Sequence, residues 1–111
     1  MPIVKLRGYL QRIDEYDRLW IMYEKKDHLN TAYKLRRLTK VAGGNPPVIG
    51  SYVKVNDKTN KALYTDIEGR ETTRDKLIGS YVEAVCAFKR YQVPGTITFG
   101  WTLTLKTLAG V

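Results

Sequence analysis

Apolar and polar positions alternate along most of this chain, the period-2 pattern of half-buried strands. From Ile3 to Ile13, Val4, Leu6, Gly8 and Leu10 fall on one face and Lys5, Arg7, Tyr9 and Gln11 on the other. Gly8 interrupts the apolar face, where a missing side chain marks a bulge or a sharp bend. Asp14-Glu15-Tyr16-Asp17 then predicts a tight turn into a second strand, Arg18 to Lys25. Leu19, Ile21 and Tyr23 lie on one face of that strand, Trp20 and Met22 on the other. If Leu19 and Ile21 face the core, Trp20 is exposed.

The middle allows two readings. His28-Leu29-Asn30-Thr31 fits the turn of a second hairpin leading into a strand over Ala32–Val41, which is the preferred reading. The same segment also fits a helix capped by Asn30 or Thr31, with Leu35, Leu38 and Val41 or Ala42 on one stripe. Gly43-Gly44-Asn45-Pro46-Pro47 is a break, followed by a strand over Val48–Val55 and a polar turn over Asn56–Asn60. Glu71 to Leu77 predicts two helical turns with Thr72 or Thr73 near the N-cap.

Ser80 to Arg90 is rich in β-formers, and Val93-Pro94-Gly95 opens a loop. Over Thr96–Leu108, Ile97, Phe99, Trp101, Leu103 and Leu105 alternate with Thr98, Gly100, Thr102, Thr104 and Lys106. Trp101 is therefore expected in the core. Ile49-Gly50-Ser51-Tyr52-Val53 recurs as Ile78-Gly79-Ser80-Tyr81-Val82, and both copies predict a glycine entering a strand. Two copies are too few for a solenoid, and Tyr52 and Tyr81 are expected in the sheet wall. Ile67-Glu68-Gly69-Arg70 matches a common engineered protease site and is taken as coincidence.

The 111 residues fit a single domain over 1–111, with 43% apolar and 27% charged side chains, a globular rather than a disordered balance. No apolar run approaches a membrane span and the first residues do not resemble a signal peptide, so the expected location is intracellular, in cytoplasm or nucleus. Nineteen Lys and Arg against eleven Asp and Glu leave a net charge of +8, a field that attracts polyanions. Ten basic and five acidic residues lie in 1–44, so the excess is larger in the first half.

Enzymatic readings find little support. One histidine, His28, removes every motif that needs two, and Cys86 is in phase with Val82, Ala84 and Phe88, where a thiol is buried and inert. Asp14, Glu15 and Asp17 read as a solvated turn rather than a cation site. Gly43-Gly44 lacks the Lys-Ser/Thr of a phosphate loop. No catalytic residue, metal, cofactor or small-molecule substrate is expected.

Short strands, a glycine-bent first strand, one short helix before strand four and a closing hairpin describe an all-β, five-stranded Greek-key barrel. The chain resembles the oligonucleotide/oligosaccharide-binding (OB) family of the single-stranded DNA-binding type, as in replication protein A and telomere-capping subunits. The residues that carry the resemblance are Val4-Lys5-Leu6-Arg7-Gly8-Tyr9-Leu10 and Leu77-Ile78-Gly79-Ser80-Tyr81-Val82-Glu83-Ala84-Val85. Lys89-Arg90-Tyr91 and Gly100-Trp101-Thr102-Leu103-Thr104-Leu105 complete it. It covers the first 25 and last 35 residues or so, while 41–70 exceed a minimal barrel and leave strand three as either Ala32–Val41 or Ile49–Val55.

The resemblance implies a binding face on strands two and three, flanked by the one–two and four–five loops. Onto that face map Trp20 or Tyr23, Tyr33, Arg36, Arg37, Lys89 and Tyr91, with Phe99 from the last loop. Single-strand binding needs cations along the phosphates and aromatic faces under the bases. The pairs Arg18/Trp20, Tyr33/Lys34 and Arg90/Tyr91 interleave the two, and Lys34, Arg36, Arg37 and Lys40 form a candidate phosphate track. The expected function is sequence-tolerant single-stranded DNA binding in replication, recombination or repair. The alternatives are an RNA-binding module, or a barrel docking a protein partner or a second copy of itself.

Overall fold

A computed structural model of the chain describes residues 3–23, 35–37, 39–40, 43–44 and 46–111. It is mainly β: β1 (Ile3–Ile13), β2 (Arg18–Met22), β3 (Val48–Ile49), β4 (Tyr52–Asn56), β5 (Leu63–Thr65), β6 (Tyr81–Gln92) and β7 (Phe99–Gly110). One sheet contains them all, in the order β3-β4-β2-β1-β6-β7-β5, and β4 makes a further, parallel pairing with β7. Among the described residues the expected five strands are thus seven.

The β1–β2 hairpin forms where the alternation places it. Its turn is built by Asp14, whose Oδ1 accepts from the amides of Tyr16 and Arg18, each at 2.9 Å, while Asp17 takes the left-handed conformation at φ 58°. Leu6, Leu10, Leu19 and Ile21 are buried, each contributing about 1.5–3 kcal/mol of hydrophobic stabilisation. The bulge falls at Gln11 rather than Gly8: Leu10 pairs with Ile21 and Arg12 with Trp20. Gly8 answers a different demand, because a Cβ there would press on the Met22 carbonyl and approach Ile21 Cγ2 at 2.8 Å.

β6 and β7 form the longest ladder, from Val82–Gly110 to Gln92–Phe99. Strict alternation along β7 does not hold, because Val85 pairs with Thr107 and Cys86 with Leu105. The extra residue, Lys106, shifts the phase so that Leu105 and Leu108 both reach the core. Ile97, expected on the apolar face, lies before the strand and is 94% exposed.

Several expectations in the middle are corrected. Residues 35–37 and 39–40 are helical, so the strand over Ala32–Val41 gives way to its helical alternative. Thr39 Oγ1 donates to the Leu35 carbonyl four residues back, which satisfies a buried hydroxyl without a sheet partner. The proposed turn at 28–31 lies outside the described residues. The single strand over Val48–Val55 is two, because Gly50 (φ 58°) turns the chain so that Ile49 pairs with Tyr52. The second half of that segment, β4, lies beside β2, so strand three comes from Ile49–Val55. The helix over Glu71–Leu77 shrinks to a 3-10 turn at Asp75–Leu77, with Arg74 rather than a threonine at its N-cap. β5 was not anticipated; its alternation is too short to show a period.

Arg74 ties three loops together. Its guanidinium binds the Asp17 carboxylate and, at 3.1 Å, that of Asp57, which also accepts from the Tyr64 hydroxyl. Asp57 is only 1% exposed, so its charge depends on these partners. Burial first, then the Asp57 hydrogen bond, raise the Tyr64 phenol above its ordinary value.

Candidate functional site

Leu19 and Ile21 face the core, so the opposite face of β2 carries Arg18, Trp20 and Met22 outward. Across the ladder, Asn56, Lys54 and Tyr52 of β4 stand opposite them in register. On the other side Arg12 of β1 pairs with Trp20 and sets its guanidinium 4.4 Å from the indole ring centre. The Tyr52 ring meets Trp20 edge-on at 5.8 Å.

Asp14 organises this face. Its Oδ2 accepts from Trp20 Nε1 at 2.9 Å and from Arg18 Nε at 2.8 Å, and its side chain is only 6% exposed. Burial works to raise its carboxyl, but hydrogen bonds from Trp20, from the Arg18 amide and guanidinium and from the Tyr16 amide hold it well below the usual range. Arg18 binds Asp14 through Nε, an arrangement that leaves the two outer nitrogens of the guanidinium clear of this bond.

Beside this face runs an open groove of about 620 Å³. Its lining comes from Arg18 of β2, Lys54 and Asn56 of β4, the segment Pro46-Pro47-Val48-Ile49, Tyr91 of β6, and Trp101 and Thr102 of β7. Among the described residues the lining holds two cations and two large aromatics and no carboxylate. Burial lowers the Lys54 ammonium and the Arg18 charge lowers it further, with Asp14 opposing both. Trp101 stacks on Phe88 at 4.8 Å and 17°, and its Nε1 donates to the Gly43 carbonyl at 3.0 Å.

Of the residues expected from sequence, Arg18 and Tyr91 meet at the groove and Trp20 lies in the adjoining row. Lys89 stands opposite Thr102, which lines the groove. Tyr23 and Arg36 converge elsewhere, both donating to the Gly50 carbonyl, at 2.8 and 2.7 Å, and Arg37 is exposed on the helical segment. Phe99 packs against Gly43-Gly44 under the Arg90 guanidinium, 4.1 Å from its ring centre. Tyr33 and Lys34 lie outside the described residues.

Lys54, Asn56 and Trp101 were not anticipated at the site. The alternation Tyr52-Val53-Lys54-Val55-Asn56 carries the signal for the first two. Trp101 keeps its core contact with Phe88 yet also borders the groove, a double position that periodicity does not express.

Cys86 is fully buried, and burial pushes its thiol up to about 12. Among the described residues no group of His, Cys, Asp or Glu is arranged to hold a metal ion, and no helix is long and apolar enough to cross a membrane. No protein-family model and no curated protein matches the chain.

Proposed function

We propose that this protein binds single-stranded nucleic acid, DNA in the first place, with little sequence preference, and serves replication, recombination or repair. The observation that carries the reading is the groove: Arg18 and Lys54 line it together with Tyr91 and Trp101, and among the described residues no acidic side chain joins them. Cations along phosphates and aromatic surfaces beneath bases are what an unpaired strand needs, and the net charge of +8 favours its approach. In this reading five strands wrap into an OB-type barrel with β3 and β5 as additions. The pairings β1–β2, β2–β4, β4–β7, β7–β6 and β6–β1 support it, since they return to their starting strand.

The test is anisotropy of a labelled single strand of about 20 nucleotides, longer than the ~4–16 nucleotides one such barrel covers. Arg12, Arg18, Lys54 and Lys89 border the face and groove, so about four phosphates are neutralised. At about 0.7 per phosphate, the affinity falls roughly 50-fold between about 50 and about 200 mM salt. Absence of binding at the lower salt refutes the reading. An excess of duplex competitor leaves the complex intact if unpaired bases are required, and an RNA strand of the same sequence measures DNA preference.

A second reading, a protein-docking subunit, is favoured by one feature. Ile97 is 94% exposed at the tip of the β6–β7 hairpin, with Val93 exposed near it. Salt-insensitive self-association or a stable partner, without strand binding, is its signature.

A further inference from the structure

The sequence contains two tryptophans, and the structure distinguishes them as base platforms. Trp20 is occupied on several sides. Arg12 lies 4.4 Å from its ring centre, Tyr52 meets it edge-on at 5.8 Å, and its Nε1 is held by the Asp14 carboxylate. A base stacking on the ring face that Arg12 covers has to displace a cation already bound there. Trp101 is engaged differently. Phe88 backs it in a near-parallel stack, the Gly43 carbonyl fixes its Nε1, and it lines the groove.

We infer that Trp101 is the base-stacking residue of the groove, and that Trp20 is a strut that holds Arg12 and, through Asp14, Arg18. A base laid on Trp101 extends the Phe88–Trp101 stack by one ring. Its phosphates fall to Arg18 and Lys54, which line the same groove, and Tyr91 borders the same space. The platform is pre-formed, because the indole is fixed by a backbone acceptor and a buried ring, so little side-chain entropy is lost when a base arrives. This inference rests on the single-strand reading of the groove and assigns a residue within it.

Trp20→Phe and Trp101→Phe each leave one tryptophan to report. Titration with an oligothymidine of about 20 residues is expected to quench the remaining fluorescence of Trp20→Phe, whose reporter is Trp101. Trp101→Phe is expected to bind the strand by anisotropy with little quenching. Trp101→Leu weakens binding about tenfold, the loss of one stacked base. It also loses discrimination against an abasic strand with the same number of phosphates, which the wild type binds about tenfold more weakly than the thymidine strand. A merely structural role for Trp101 would lower affinity for both strands alike, and that result overturns the inference. Quenching that follows Trp20 overturns it too, while leaving single-strand binding intact. Failure of the wild-type protein to bind either strand removes both the inference and the function on which it rests.

Discussion

Gly8 offers a test in which the sign of the effect decides the matter. In a regular strand with open space above it, replacing glycine by alanine stabilises by about 0.5–1 kcal/mol, because the unfolded chain has less freedom to lose. Gly8 sits within β1, pairs with Val82, and has no positive φ to favour glycine. The structure demands the opposite outcome. An added Cβ would press on the Met22 carbonyl oxygen and lie 2.8 Å from Ile21 Cγ2, and a backbone carbonyl in a paired strand has little room to give. Overpacking of this kind costs ~1–3 kcal/mol, and its upper end, less the alanine gain, leaves about 2 kcal/mol of destabilisation. At about 2.1 cal/mol/K of unfolding entropy per residue, that lowers Tm by roughly 9 °C for a chain of this length. Thermal melts followed by far-UV circular dichroism, repeated as urea titrations, read it directly. A Gly8→Ala protein that melts at or above the wild-type temperature would show that β2 does not approach β1 this closely.

Three further outcomes follow from buried charges and thiols. Arg74→Met strands the Asp57 carboxylate, 1% exposed, beside Tyr64, and urea denaturation should show a loss of about 3–5 kcal/mol, since one partner of a buried pair is gone. Asp14 is held below its ordinary value of 3.8, so the stability it contributes is complete above that pH and lost as pH falls further; Asp14→Asn should flatten the acid limb of a stability–pH curve. Cys86 moves the other way, from 9.0 up to about 12, so the unfolded chain loses its proton first and stability declines as pH rises across that interval. Cys86→Ala should remove much of this alkaline decline, measured by urea midpoints at about pH 8 and about pH 11.

The long strands were legible because one face of each is buried and the other is not. β1, β6 and β7 announce themselves through alternation, and the β1–β2 turn through its acidic residues. The repeated Gly-Ser-Tyr-Val proved to be one device used twice: Gly50 and Gly79 both have positive φ, and Val53 and Val82 are both buried. Alternation failed where one inserted residue resets its phase, as at Lys106, and where a segment satisfies helix and strand patterns equally, as at 35–40. It also failed at β5, whose three residues owe their pairing to β7 and to the buried Tyr64 rather than to a pattern of their own. At the site, Arg18 and Tyr91 were recognisable as cation and aromatic. That Trp20 is engaged by Arg12 and Asp14, while Trp101 borders a groove, depends on contacts between residues far apart in sequence.

The parallel pairing of β4 with β7 bears on how the groove behaves over time. It joins Val55 to Leu103 and Asn56 to Thr104, a far shorter ladder than β2–β4 or β6–β7, and parallel pairs are slightly weaker per residue than antiparallel ones. Proteins open first where few backbone bonds must be surrendered together. Lys54 and Asn56 stand on one side of this join, Trp101 and Thr102 on the other, and the groove lies across it. An occupant touching both sides therefore acts as a staple. Its arrival is recorded by the amides of β4 and β7 at the join, which exchange with solvent more slowly, while those of the β6–β7 hairpin keep their rate.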